Sequence, residues 1–228
     1  MSASATPTPT PTPTLLPPAR AARKVGLCRR GERRVEKFLD AATEVFAEKG
    51  YQHARLSEIV ARAGGSLATL YRAFGDKEGL AFAIVERRLQ DMTRQLDAME
   101  LKGLPPPQAL RKAARSITES LTTPDAYLVN RIVIGEGRDF PALRDWYFDN
   151  AVTTIRNRLA SYFQQQVAAG ALVLHSTPEL AASQFFMMLF GDLTIRTACG
   201  YMPNPETDQV LAFIDGAVEQ FLHGALPR

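Results

Sequence analysis

Between Leu56 and Lys77 the chain reads LSEIVARAGGSLATLYRAFGDK, and this run constrains the fold more than any other. Leu56, Ile59, Val60 and Ala63 recur at helical spacing over a segment only two turns long, and Gly64-Gly65 then supply the positive backbone angles of a sharp turn. Ser66 can cap a second short helix whose inward side is Leu70 and Phe74, Gly75 can end it, and Asp76 can cap the next. Two short helices joined this tightly have one dominant use, presenting the second in the major groove of duplex DNA.

The surrounding sequence extends this pattern. Val35, Phe38, Leu39, Ala42, Val45 and Phe46 predict a preceding helix over about 32 to 49, stopped by Gly50. Leu80, Ile84, Leu89, Met92 and Leu96 predict a long helix after Asp76. Beyond residue 100 a polar residue followed by Pro recurs at Thr123-Pro124, Thr177-Pro178 and Asn204-Pro205, each a helix start. With Pro105 to Pro107 and Pro141, helices are expected at about 108 to 121, 124 to 137, 141 to 169, 178 to 199 and 205 to 223. Alternation of strand type is nowhere sustained, so the chain reads as all-α.

Charge is unevenly divided. Residues 1 to 75 hold 12 Lys and Arg against 6 Asp and Glu, a net of +6, whereas residues 76 to 228 hold 15 against 18, a net of −3. Such a split is the footprint of a polyanion binder whose remainder stays off the polymer. Thr6 to Thr14 alternate Thr and Pro, so residues 1 to 30 read as a disordered arm, basic in its second half through Arg20, Arg23, Lys24, Arg29 and Arg30. That arm is either a solvated tail or a phosphate and minor-groove contact. The division expected is therefore an arm over 1 to 30, a helix-turn-helix domain over 31 to 77 and a helical domain over 78 to 228.

Other function classes find little support. Cys28 and Cys199 lack disulfide or metal spacing, and His53, His175 and His223 are scattered. No phosphate loop or nucleophile motif occurs, so no catalytic residue, metal or cofactor is assigned. The N-terminus lacks the apolar run of a secretory signal, and Phe185 to Phe190 is too short to span a bilayer, which together favour a cytoplasmic location away from membranes. A helical enzyme or small-molecule carrier with a decayed helix-turn-helix is the competing class, and an architectural DNA binder without an effector is a third.

Residues 32 to 82 resemble the TetR/AcrR family of bacterial transcriptional regulators. The matching residues are Ala41, Ala42, Phe46, Gly50 and Tyr51, then Ile59 and Ala63-Gly64, then Ser66, Thr69, Leu70, Tyr71 and Phe74, and finally Lys77, Glu78 and Leu80. Ala54-Arg55 stands where the family usually has Thr or Ser, Gly65 replaces a Val, Leu67-Ala68 replaces a Lys-Gly pair, and Ala73 replaces a His or Tyr. Glu136, Arg138, Phe140, Pro141 and Leu143 look like a pattern in a subset of AcrR-like regulators. The resemblance implies a C-terminal helical domain that dimerises through its last helices and encloses a small-molecule cavity. It further implies a transcriptional regulator, a repressor released by its effector.

The candidate DNA-binding residues follow from that frame. Arg72 can take guanine bidentately, whereas Leu67 and Ala68 can make only apolar contact, for example with thymine methyls, Leu67 equally being able to pack inward. Ser66 caps the helix; Arg55, Thr69, Tyr71 and Lys77 are candidates for phosphate contact. Recognition of a pseudo-palindromic operator by a homodimer is expected. Phe185, Met188, Leu189 and Leu193 form one apolar stripe and Phe213, Ala217 and Phe221 another, each serving either the dimer seam or its own subunit's core. Met99, Tyr127, Arg131, Trp146 and Phe148 are the candidate contacts to an effector.

Overall fold

The structure, a computed structural model, describes residues 29–199, 201 and 207–225. Every regular element among them is helical. The Thr/Pro arm with Arg20, Arg23 and Lys24, and the Asn204-Pro205 helix start, lie outside the described residues.

The first helix, α1 (Arg29–His53), outruns its predicted end because the stop at Gly50 is a single irregular residue, at φ 76° and ψ 160°, after which one further turn forms. That backbone region is open almost only to glycine. The next helices keep close to their predicted bounds: α2 (Leu56–Ala63), α3 (Leu67–Phe74) and α4 (Lys77–Asp97). Ser66 Oγ accepts from Thr69 N at 3.2 Å and Asp76 Oδ1 from Gly79 N at 2.7 Å, satisfying N–H groups that the first helical turn leaves unpaired. Gly64 at φ 70° and Gly65 at φ 148° turn the chain between α2 and α3. The position usually held by Val is occupied closely here: a Cβ on Gly65 would stand 3.0 Å from the Phe38 ring.

Proline sets the later starts. The helix α5 (Pro106–Leu121) begins two residues earlier than expected because Pro106 occupies its first turn. Thr123 caps α6 (Pro124–Asn130) and Thr177 caps α9 (Pro178–Ala198), each hydroxyl accepting from the N–H three residues on. Two expected continuous helices are interrupted. The first widens into a π-helical turn at Arg131–Gly135 after α6; the second is α7 (Pro141–Tyr147), a π-helical turn at Phe148–Val152, and α8 (Thr153–Ala168). Each π turn holds an extra residue in the ladder. The chain closes with α10 (Thr207–Ala225).

Two large cores result. One unites Phe38, Phe46, Ile59, Leu70 and Phe74 of the first three helices with Leu80, Ile84 and Val85 of α4 and with Leu128, Ile132 and Leu143 beyond them. The other joins α5, α8, α9 and α10 around Leu110, Phe163, Phe185, Leu189 and Ile214. Leu89, Met92, Ala151 and Ile155 form a smaller cluster, and Leu96 of α4 packs against both it and the second core. No helix among the described residues is long and apolar enough to cross a membrane.

Gly50→Ala tests the α1 irregularity. An added methyl group would come no nearer than 4.0 Å to Arg131, so the cost is that of the backbone alone. Equilibrium urea unfolding is expected to show a loss of about 1–3 kcal/mol.

Candidate nucleic-acid interface

The side chains of α3 divide cleanly by direction. Leu70 and Phe74 are buried, and Phe74 meets Phe38 edge to face at 6.3 Å between ring centres. On the other side Leu67 is 40% exposed and Tyr71 49%, with Ala68 and Arg72 also in the open. Leu67 is thus presented outward rather than packed within the small domain. Thr69 is half-buried, and its hydroxyl lies 3.0 Å from that of Ser66.

Ion pairs fix the scaffold behind α3. Arg62 of α2 forks onto Glu48 of α1 at 2.7 and 2.8 Å, and Lys49 meets Glu58 at 2.7 Å. Arg55, which precedes α2 in place of the family's hydroxyl residue, has no acceptor to offer as a cap. Glu58 reaches back instead, accepting from the Arg55 backbone N–H at 3.4 Å. Its carboxyl is held below the usual range chiefly by the hydrogen bond from Lys49, with Arg55 adding to the effect. Among the described residues the guanidinium groups of Arg55 and Arg72 make no hydrogen bond or ion pair. These two exposed cations of the helix-turn-helix unit therefore remain available while Arg62 and Lys49 are engaged.

Lys77 is placed differently from its expected phosphate-facing role. Its ammonium donates to the Gln52 carbonyl at 3.0 Å and sits 4.6 Å over the Tyr51 ring, joining the start of α4 to the end of α1. Burial pulls its pKa below the ordinary lysine range. Tyr51 in turn meets Phe140 edge to face at 5.0 Å, and Gln52 donates to Glu136, so the loop after the first π turn touches the helix-turn-helix unit directly.

Farther from the turn, an apolar cavity of about 160 Å³ opens between the end of α4, α5 and α8. Of the five candidate effector contacts it brings in Met99. Tyr127 is buried, with a hydroxyl that has no hydrogen-bond partner, and Trp146 packs on Phe82 at 4.7 Å. Arg131 is exposed and Phe148 is 46% exposed. The polar members of the lining are Arg158 and Tyr162, which sequence reasoning missed; their four-residue spacing on α8 beside Ile155 and Leu159 was the available signal.

The late apolar stripes separate as well. Phe185, Leu189 and Leu193 pack into their own subunit's core, Met188 is half-buried against it, and Phe221 stacks on Phe163 at 5.2 Å. The opposite side of α9 exposes Leu180, Met187 and Ile195, and α10 exposes Phe213 at 52%.

The sequence profile of the TetR family of bacterial regulatory proteins matches residues 38–84, and that of the AefR-like transcriptional repressor C-terminal domain matches residues 108–224, just over half of the chain. The chain belongs to the TetR family. An uncharacterised helix-turn-helix regulator of Bacillus subtilis, YvdT, is 44% identical over 68 residues, 30% of this chain and 32% of that one. The aligned stretches span about half or less of the length of the curated relatives. A TetR-family regulator from Mesorhizobium loti shares the fold at a TM-score of 0.73 and 24% identity, over 88% of this chain and all of that one. The flavonoid-responsive regulator FrrA aligns at 0.63 with 27% identity, over 86% of this chain and 99% of that one. Members of the TetR family are transcriptional regulators, and both the helix-turn-helix and the helical C-terminal domain of the family are present here.

The directions of these side chains set different stabilities. Ser66→Ala removes the α3 cap and should cost about 1 kcal/mol. Arg72→Ala, which loses no contact within the described residues, should stay within about 0.5 kcal/mol of the parent in the same urea titration.

Proposed function

We propose that the protein is a cytoplasmic, homodimeric repressor that binds a pseudo-palindromic operator and leaves it when a small molecule enters the C-terminal cavity. The observation that carries this reading is the outward set on α3, namely Leu67, Ala68, Tyr71 and Arg72, with the guanidinium groups of Arg72 and of Arg55 making no hydrogen bond or ion pair among the described residues. A buried core face behind such a set fixes its orientation, as a reading helix requires.

Roles divide by chemistry. Arg72 reads a guanine edge, Leu67 and Ala68 contact thymine methyls, and Tyr71 and Arg55 hold phosphates. Ser66 and Thr69 serve the first turn of α3, whose remaining N–H groups can meet a phosphate. Lys77, already engaged by Gln52 and Tyr51, acts mainly as the joint between α1 and α4 and only secondarily as a phosphate contact. The exposed row Leu180, Met187 and Ile195, with Phe213 alongside, is the apolar surface that a second copy would cover.

DNA fragments selected from the genome by the purified protein, followed by fluorescence anisotropy on the recovered motif, test the reading. Arg72→Ala should lose about 1–3 kcal/mol and relax discrimination at one base pair of each half-site, whereas Arg55→Ala should weaken all sequences alike and reduce the salt slope by about one. No sequence-specific complex at low salt would refute DNA recognition.

The seam has its own test. Met187→Glu with Ile195→Glu should give a folded monomer in sedimentation, with operator affinity lower by about a hundredfold through lost bivalency. A dimer that survives both changes would refute this interface.

A further inference from the structure

Resting on the assignment of the C-terminal cavity as the effector site, we propose that the effector is a small amphipathic carboxylic acid. Its apolar body fills the cavity, and its carboxylate is received by Arg158 and Tyr162 in competition with Asp97.

The lining dictates this class. Leu96, Met99, Leu110 and Ile117 represent walls that are otherwise apolar, so the body of the ligand must be apolar too. The polar lining is Arg158 and Tyr162, one turn apart on the same side of α8. A guanidinium can only donate, and burial raises the Tyr162 pKa, so its hydroxyl remains a proton donor. No carboxylate lines the cavity. Two donors with no acceptor among the described cavity lining, Arg158 being paired only with Asp97 outside it, call for an acceptor on the ligand, and a carboxylate matches the planar fork of arginine best.

Both donors are in a state that a ligand improves. The Tyr162 hydroxyl is buried with no hydrogen-bond partner among the described residues, a deficit that an incoming oxygen would relieve. Arg158 is held at 2.7 Å by Asp97, but the two side chains are 45% and 59% exposed. Pairs so open to water contribute little and exchange readily.

Position and size narrow the class further. Arg158 and Tyr162 also border a polar groove of about 420 Å³ lined by Thr154, Asn157, Ser161 and Gln165. They therefore mark the boundary between an apolar chamber and a polar exit, where the head of an amphipath would rest. The chamber of about 160 Å³ resembles in size engineered cavities of about 150 Å³ that take benzene, so one ring or a short chain fits. Asp97 is the last residue of α4, whose other end adjoins α3, so transfer of Arg158 from Asp97 to the ligand changes a contact between α8 and the far end of that helix.

Calorimetry with the full chain and three probes, benzoate, benzyl alcohol and toluene, tests the proposal, with operator release followed in parallel. Benzoate should bind more tightly than benzyl alcohol. Arg158→Met should weaken benzoate by about ten- to hundredfold while leaving toluene within about twofold, and Tyr162→Phe should weaken it less. Asp97→Asn should strengthen benzoate and lower the dose that frees the operator, a sign opposite to that of a merely structural pair. Benzoate no tighter than benzyl alcohol, or unaffected by Arg158→Met, overturns the acid class. If toluene then binds and frees the operator, the cavity survives as the effector site. Failure of all three probes both to bind and to free the operator overturns the site together with the class.

Discussion

Seven consecutive residues of α4, Gly79 to Val85, are buried. Seven residues are two helical turns and cover every side of the cylinder, so this part of α4 needs neighbours all round. The first three helices supply one side, and Leu128, Val129, Ile132, Val133 and Leu143 supply the rest. A three-helix unit of under fifty residues buries little surface and is marginal alone, and here its core is completed by α4, α6 and α7. The reading unit and the body are therefore one cooperative structure, and α3 cannot change direction without repacking that shared core.

Electrostatics reinforces the same seam. Arg87 of α4 bonds Asp40 at 2.7 Å and Glu36 at 3.1 Å on α1, and Arg88 donates to Ser120 at the end of α5. Lys77 ties the beginning of α4 to the end of α1. Cations along the seam are thus engaged within the chain, Arg87 by carboxylates and Lys77 and Arg88 by neutral oxygens, whereas Arg55 and Arg72 make no hydrogen bond or ion pair among the described residues. The basic excess of the first 75 residues is divided in the same way: Lys49 and Arg62 pair with Glu58 and Glu48 within the fold, while Arg55 and Arg72 stay open to a polyanion. Composition alone cannot separate these uses, because pairing depends on which helices meet.

What the sequence made legible was local. Ser66, Asp76, Thr123 and Thr177 each cap the helix predicted from them, because a cap needs only its own next three residues. The inward pair Leu70 and Phe74 followed from helical spacing alone. The π turns after Asn130 and Tyr147 could not be read, since an extra residue in a helical turn answers to neighbours distant in sequence. The inner and outer sides of α9 were equally obscure: Phe185 to Phe190 is apolar on both, so periodicity has no contrast to report. Lys77 matched a family position, but its choice of the Gln52 carbonyl depends on the extra turn after Gly50. The cavity escaped for a simpler reason. A void belongs to no residue, and its polar lining came from α8, where Arg158 and Tyr162 share a side with Ile155 and Leu159.

On the proposed function, α4 is the element that joins the cavity to the helix-turn-helix unit. It is 21 residues long, about 30 Å, with Asp76 capping the end beside α3 and Asp97 paired to α8 at the other. A tilt of about five degrees about one end moves the other by roughly 2.5 Å on this length. In a two-fold dimer the displacement occurs in both copies, and DNA tolerates little error in half-site spacing, which is fixed at about 34 Å by one helical turn. The second attachment, Tyr51 on Phe140 with Gln52 on Glu136, prevents the head from simply lagging behind α4. A shift of α4 must be followed by α6 and its π turn or else break that contact. Packed helices joined at two points have few intermediate arrangements, so a small change near Arg158 is better answered by a switch between two packings than by a graded bend.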